Sequence, residues 1–345
     1  MKKDSTISTK MFKSIHKKRI PIHANLELTH KCNFKCIHCY QTPMKDSKQK
    51  ELSLNEWKTI IDILKKKGTI FLTLIGGEVT LNENFIKIYE YAYKKNFKIS
   101  IDTNGSFINN EIIESISLLK PLSVEITLYG ISNDTYKKFT GVCNGWDIVK
   151  KNIVDIVNKG IKVKLKTVGN IINEKEIVQM KQFSDRLGVG FKFYSKINCY
   201  TDGNASPKRL QLSPCEILSI MNRLGITNEY INYIKNSDFY SDNDIKRCSA
   251  GLNKCYIDPY GCMFLCNGYQ ESKFSINKYG FDYCWEQMAV ERQNNVEIST
   301  ICGTCENRMI CGMCAPKLKK EYGNDIGTFT ECKYGDFIKR NLLNK

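Results

Sequence analysis

No stretch of this 345-residue chain is apolar for long enough to span a bilayer. Its first twenty residues, MKKDSTISTKMFKSIHKKRI, are basic but lack the apolar run of a secretory signal. Arginine-rich segments interleaved with aromatics are missing as well. Neither nucleic acid nor membrane is therefore an expected partner, and the cytoplasm is the expected address. Acidic residues are in short supply, 36 against 52 Lys and Arg, for a formal net charge of +16. That excess suits an acidic partner. Many lysines, however, sit in segments such as ILKKKG and YAYKKN, where a solvated helix face explains them better.

Cysteine, by contrast, is abundant, with 16 residues. Three lie between 32 and 39, and most of the others between 248 and 332. In a reducing compartment such clustering points to metal ligation rather than to a disulfide framework. A small buried hydrophobe is the plainer reading of an isolated cysteine. It suits the scattered Cys143, Cys199, Cys215 and Cys284.

With 42% hydrophobic residues the chain can bury a substantial core. From residue 24 to about 195, short apolar runs alternate with longer amphipathic ones. The runs ANLELT (24–29), TIFLTL (69–74), KISIDT (98–103), SVEITL (123–128), KVKLKTV (162–168) and GFKFYS (190–195) predict strands. Helices are expected to begin near Leu54, Asn84, Asn109, Ser132, Trp146 and Glu174, with Ser53 and Asn173 as caps and Gly68, Gly160 and Gly188 as stops. Six β-then-α units imply a parallel sheet with right-handed crossovers, and six are too few to close the eight-fold barrel. The expected fold class is α/β, a partial (β/α)6 TIM-like barrel with a small cysteine-rich C-terminal domain. The expected divisions are an N-terminal tail (1–23), the barrel (24–195), an irregular bridge (196–247), the cysteine-rich domain (248–335), whose core would depend on metal, and a C-terminal tail (336–345).

The first cysteine group lies in KCNFKCIHCY, where Cys32, Cys36 and Cys39 are spaced C-x3-C-x2-C directly after the first strand. In parallel α/β sheets, chemistry collects at the carboxyl ends of the strands. A structural metal usually takes four protein ligands, whereas three leave one position open for chemistry. The alternative is a zinc site completed by His38 or His30.

This triplet, followed by an aromatic at the end of the first strand of a β/α domain, resembles the radical S-adenosylmethionine (radical SAM) superfamily. The resemblance implies that Cys32, Cys36 and Cys39 hold a [4Fe-4S] cluster whose open iron chelates S-adenosylmethionine. Reductive cleavage of that sulfonium would yield a 5′-deoxyadenosyl radical that abstracts hydrogen. Further segments extend the likeness. IGGEVT supplies Gly76, Gly77 and Glu78, matching the GGE motif that binds the amino group of S-adenosylmethionine, although Val79 stands where proline is common. DTNG brings Thr103 and Asn104 to the segment that lines the cofactor pocket. In SVEITLYG, Glu125 and Thr127 share one strand face, at positions that contact the cofactor in relatives. Tyr40 would lie beside the adenine, and Lys166 is a candidate for the cofactor carboxylate.

The C-terminal cysteines resemble the SPASM extension of that superfamily. Cys248 is followed after twelve residues by Gly261 and after four more by Cys266, and then come Cys302, Cys305, Cys311, Cys314 and Cys332. The match implies two auxiliary [4Fe-4S] clusters, making the C-terminal domain an iron-sulfur one. Cys302, Cys305, Cys311 and Cys332 would hold one cluster. Cys248, Cys266 and Cys314 would hold the other, with Cys255, Cys262 or an open iron position completing it. Cys311 and Cys314 are separated by two residues where three are usual, which puts Cys314 in doubt. Spacing alone also describes a zinc ribbon.

By this resemblance the chain is expected to be an enzyme that matures a ribosomally made peptide, forming a thioether or carbon–carbon crosslink or an epimer. For epimerisation, one of the unassigned cysteines would return the hydrogen atom. The expected partners are a peptide with an acidic leader, a separate leader-binding protein, since no segment before residue 24 is long enough to serve, and an electron donor such as flavodoxin or ferredoxin. Sulfatase maturation is a second expectation, weakened because Asn267 follows Cys266 where those enzymes carry an aspartate base. A radical SAM enzyme of a small molecule or cofactor precursor is a third. A zinc-binding interaction module, the one non-enzyme alternative, leaves Cys32, Cys36, Cys39 and the GGE loop unexplained.

Overall fold

A computed structural model describes residues 14–41, 49–235, 248–295, 305–311, 314–322 and 329–343. Six parallel strands, β1 (His23–Glu27), β2 (Phe71–Ile75), β3 (Lys98–Thr103), β4 (Ser123–Thr127), β5 (Val163–Val168) and β6 (Gly190–Tyr194), form the sheet read from the sequence. They lie in chain order and do not close. The connecting helices are α1 (Leu54–Lys66), α2 (Phe85–Lys94), α3 (Asn110–Leu118), α4 (Asn133–Thr140), α5 (Gly145–Asn158) and α6 (Ile177–Arg186).

Local chemistry explains their limits. Ser53 accepts from Glu56 N–H while Glu56 reaches back to the Ser53 backbone, a capping box that stabilises α1 by about 1 kcal/mol. The Asn109 and Ser132 side chains cap α3 and α4 by accepting from Ile112 N–H and Thr135 N–H. Asn173 does not act as the expected cap. Its Oδ1 accepts instead from Asn170 N–H at 3.0 Å, and a short 3-10 turn (Glu174–Glu176) precedes α6. Gly68, Gly160 and Gly188 all stop helices with φ between 65° and 87°, a range in which a side chain is strained.

The C-terminal part departs from expectation. Strand β7 (Lys254–Ile257) pairs parallel with β1, so the sheet continues through β8 (Cys262–Phe264) and β9 (Phe274–Ser275) to nine strands. Cys255, Ile257, Met263 and Trp285 share one apolar cluster with Leu26, Trp57 and Leu72. The expected division at Cys248 is therefore a boundary neither in the sheet nor in the core. Residues 254–288 are held by ordinary apolar burial, at roughly 25 cal/mol per Å², and not by metal alone.

Both expected tails also carry structure. Residues 14–17 make a helical turn, and Arg19 then donates to Gly251 O and Trp285 O and pairs with Glu286, while Trp285 Nε1 donates to Arg19 O. The bridge contains α7 (Pro214–Arg223) and α8 (Thr227–Lys235), and its residues 236–247 lie outside the described ones. Further on are α9 (Ile276–Tyr279), α10 (Phe281–Asn295), α11 (Arg308–Cys311), α12 (Ala315–Tyr322) and α13 (Phe329–Ile338), with a π turn (Lys339–Leu343) in the expected C-terminal tail. Among the described residues no helix is long and apolar enough to cross a membrane.

Candidate functional site

Strand β1 delivers the cysteine loop to the carboxyl edge of the sheet. The loop is pinned from two sides. Gly77 N–H donates to Thr29 O and Glu78 N–H to Lys31 O, each at 2.8 Å. From the other side, Lys35 N–H donates to Thr140 O at 2.9 Å and Ile37 N–H to Phe139 O at 3.1 Å. A Cβ on Gly77 would stand 2.5 Å from Lys31 O and 2.6 Å from His30 O, and one on Gly76 would stand 2.8 Å from Thr29 O. These glycines let two backbone loops approach one another.

Each loop thiol meets a donor. Phe34 N–H lies 3.5 Å from Cys32 Sγ, and Asn104 Nδ2 lies 4.0 Å from it. The Tyr129 hydroxyl lies beside Cys36 and the Gln41 backbone N–H beside Cys39, each favouring the thiolate. Burial pushes all three thiols above the ordinary range, and the charges of Cys32 and Cys39 raise Cys36 further. As thiols they are neutral, and metal binding must deprotonate them.

The two histidines of the zinc alternative are packed against aromatic rings. His38 is packed edge-on to Phe139, with centroids 4.5 Å apart, and burial lowers its pKa to about 4. His30 is turned to Tyr260 and to Glu27, with Nε2 3.3 Å from Glu27 Oε2. Among the described residues no three His, Cys, Asp or Glu side chains converge on one ion. The three thiols lie close enough for their charges to act on one another.

Glu78 is wholly buried, and its carboxylate is already occupied. Oε1 accepts from Thr80 N (3.2 Å), Thr80 Oγ1 (2.6 Å) and Thr103 Oγ1 (2.6 Å), and Oε2 accepts from Asn104 N (2.6 Å). Burial raises its pKa, and these donors pull it back. Glu78 therefore ties the loop after β2 to the loop after β3. Asn104 continues the tie to the cysteine loop through Asn33 Oδ1, at 3.0 Å.

The inner face of the sheet is polar. Glu125 and Thr127 project from β4 opposite buried Val124, Ile126 and Leu128. Lys166, on β5, lies 2.6 Å from Asp102 and 3.8 Å from Glu125, so its ammonium is engaged within the sheet. Burial pushes the Glu125 carboxyl up, but Lys166 and Lys164 outweigh it and hold the group below the usual range. Tyr40 turns toward this face. Its hydroxyl accepts from Asn267 Nδ2 at 3.0 Å, and burial, followed by the charge of Glu27, raises its pKa well above 10. Gln41 Nε2 donates to Glu27 at the foot of the loop.

The C-terminal cysteines separate. Cys248, Cys266 and Cys314 come together closely enough for their charges to act on one another. Burial, then Cys314 and Cys248, pushes Cys266 up to about 11. Cys314 stands just before α12, and burial raises its pKa although the Lys317 backbone N–H and ammonium pull it back. Cys255, expected as a candidate ligand, is instead a core thiol. On β7 its side chain alternates away from Lys254 and Tyr256, is fully buried, and donates to the His23 carbonyl. Cys262 faces Asp258 and Cys284 rather than the Cys248 group. Cys311 is half-buried, with Gly335 of α13 close to it, while Cys305 and Cys332 are exposed. Cys302 lies outside the described residues. Of the unassigned cysteines, Cys199 is buried beside Glu321, Cys284 donates to Phe274 O, and Cys143 and Cys215 are exposed.

Two contributors were missed in the sequence, Tyr129 and Asn267, and Asp102 was noted only as part of DTNG. Tyr129 continues the alternation of Glu125 and Thr127, and that periodicity alone would have placed it on the site side. The partners of Asp102 and Asn267 come from distant elements and carried no local signal.

Comparison with known proteins agrees with this geometry. Residues 26–184 match the Radical SAM superfamily. The chain is 31% identical over 150 residues to Fe-coproporphyrin III synthase of Methanosarcina barkeri, covering 44% of this chain and 37% of that protein. It is 29% identical over 243 residues to the antilisterial bacteriocin subtilosin biosynthesis protein AlbA of Bacillus subtilis, covering 70% and 54%. The chain thus spans about half or less of the length of these curated relatives. In three dimensions it resembles Streptococcus suis SuiB bound to precursor peptide SuiA, with a TM-score of 0.74 at 18% identity over 94% of this chain and 79% of that one. Residues 26–184, with their cysteine loop and GGE turn, thus form a segment that matches the Radical SAM superfamily.

Proposed function

We propose that the chain is a radical SAM enzyme that modifies a ribosomally made peptide. The observation that carries the reading is the loop of three neighbouring thiols at the barrel mouth, pinned by the Gly76–Gly77 turn and facing a polar inner wall. Cys32, Cys36 and Cys39 would hold the cluster, and the backbone of the Gly76–Gly77 turn with Asn104 would border S-adenosylmethionine. When bound, these groups supply reductive cleavage of the sulfonium and a carbon radical able to take hydrogen from an unactivated C–H bond. The protein's own part is to hold the loop rigid through Glu78 and the α4 contacts and to present Tyr40, Glu125, Thr127 and the Asp102–Lys166 pair to substrate. Rigid placement of reacting groups lowers the entropy cost of the encounter.

Support for a peptide comes from the relatives named for peptide products, AlbA and SuiB. Cys248, Cys266 and Cys314 would hold an auxiliary cluster, and Cys305, Cys311 and Cys332, with Cys302, a second. An acidic leader would use the net charge of +16, with a separate leader-binding protein and a flavodoxin or ferredoxin as electron donor. The likeness to Fe-coproporphyrin III synthase favours a second reading, in which the substrate is a small molecule.

Anaerobic reconstitution with iron and sulfide, followed by reductant, S-adenosylmethionine and candidate peptides, tests both readings. Formation of 5′-deoxyadenosine together with a mass change in a peptide is expected. Turnover of a small molecule with every peptide left unchanged favours the second reading. Zinc-loaded protein with no 5′-deoxyadenosine refutes both.

A further inference from the structure

The two faces of the sheet differ. Ala24, Leu26, Leu72, Leu74, Cys255 and Ile257 belong to the apolar core. The residues that alternate with them on β1, β2 and β7, among them Asn25, Thr73, Lys254 and Tyr256, face the barrel interior. Strand pairing sets Asn25 between Thr73 and Tyr256, and His23 beside Lys254. The carboxylates on this wall are already engaged. Asp102 is paired with Lys166 and Glu125 with Lys164, while Glu27 accepts from Gln41 and faces His30. Half-buried Lys254 is not engaged. Among the described residues it makes no ion pair, and its Nζ lies 5.1 Å over the ring of Tyr256, two residues nearer the barrel mouth. Burial outweighs the charge of Asp102 and pulls the Lys254 ammonium below the ordinary lysine range.

Asn25 is the second unpartnered group. It is 8% exposed, and its Oδ1 has no hydrogen-bond partner among the described residues. A buried acceptor left unpaired costs stability, so such a group calls for a partner from outside the chain. Tyr256 stands beside Asn25 and carries the lysine ammonium over its ring, so carboxamide and ammonium open on the same space. That space lies two residues, about 7 Å, below Glu27 and the foot of the cysteine loop.

We propose that Asn25 and Lys254 form a subsite inside the barrel for an acidic residue of the substrate peptide. Lys254 Nζ donates to the Asp or Glu carboxylate, and Asn25 Oδ1 accepts a peptide N–H of the same segment. An ammonium with no partner of its own meets an anion without first breaking an ion pair, and a partly buried charged hydrogen bond is stronger than an exposed one. This rests on the reading that the substrate is a peptide.

The test exposes the anaerobically reconstituted full chain to a library of N-acetylated random hexapeptide amides at high salt, which screens the surface lysines, and identifies the retained members by mass spectrometry. Members with Asp or Glu are expected to be held about tenfold over those with Asn or Gln in the same place, the scale of one hydrogen bond to a charged group. Lys254→Met should abolish the preference, and Lys94→Met, which removes an exposed charge on α2, should leave it. Asn25→Leu should lower the retention of all members while raising Tm, the pattern of a residue kept for binding rather than for the fold. Retention without acidic preference, or a preference lost equally in Lys94→Met, overturns the subsite and leaves the peptide reading intact. Unchanged retention by Asn25→Leu also overturns it. Iron is assayed in each protein, and a Lys254→Met chain that folds but loses iron gives the lysine to a metal site and overturns the inference. If Lys254→Met does not fold, Lys254→Gln takes its place under the same criteria. A parent that retains no peptide removes the peptide reading, and the inference with it.

Discussion

Replacing Glu78 by Gln separates two roles for the GGE carboxylate, direct contact with a cofactor amino group and internal clamp. The carboxylate accepts four donors with no exposed surface. Glutamine keeps the shape. Its best orientation turns the amide oxygen to Thr80 and Thr103 and leaves the NH2 group facing Asn104 N–H, donor against donor. One bond to a charged acceptor, worth about 1.5–3 kcal/mol, is then lost. Removing a buried charge offsets part of this, since burial already works against the ionised carboxyl. A net loss of about 2 kcal/mol is expected, and about 4 kcal/mol for Glu78→Ala, which abandons all four donors and leaves a cavity. At about 2–4 °C per kcal/mol for a large domain, Gln lowers Tm by about 4–8 °C. The assay is thermal unfolding of cofactor-free protein by circular dichroism, where no lost ligand contributes to the shift. A Tm unchanged to within a degree, combined with lost S-adenosylmethionine binding, would refute the clamp.

Three further outcomes follow from the same geometry. Gly77→Ala sets a Cβ against the Lys31 and His30 carbonyls, so stability should fall by about 1–3 kcal/mol and iron uptake at the cysteine loop should drop, and normal uptake by iron assay would contradict the close approach. Cys255→Ser places a hydroxyl in the core at a cost of about 1–3 kcal/mol, seen as a lower urea midpoint, while iron content stays at the parent value; loss of one cluster's iron would restore Cys255 as a ligand. Burial, reinforced by the Lys254 charge, lowers the pKa of His23 from 6.5 to about 4. Its contribution is present above pH 6.5 and is lost as pH falls through about 4, up to about 3 kcal/mol, so His23→Asn should flatten the urea-midpoint profile in that window, and an unaltered profile would contradict it.

The barrel was legible because its information is local. Apolar runs at strand spacing, Ser53, Asn109 and Ser132 at helix starts, and glycines at helix ends each act within a few residues, and each recurs in the structure. Asn173 was misread because a tighter partner, Asn170, sits three residues away and captures its side chain. The cysteine loop was legible for the same local reason, being a single run of spaced thiols after a strand.

What the sequence determined by itself was therefore the six β/α units and the edge of the sheet at which the thiols would stand. What only the tertiary structure decided was which groups serve whom. Glu78 clamps loops, Lys166 is held by Asp102, Cys255 belongs to the core, and β7 joins β1 instead of opening a separate domain. The reason is physical. Periodicity and capping are properties of neighbours along the chain, whereas burial, ion pairing and strand partnership depend on residues that only the fold brings into contact.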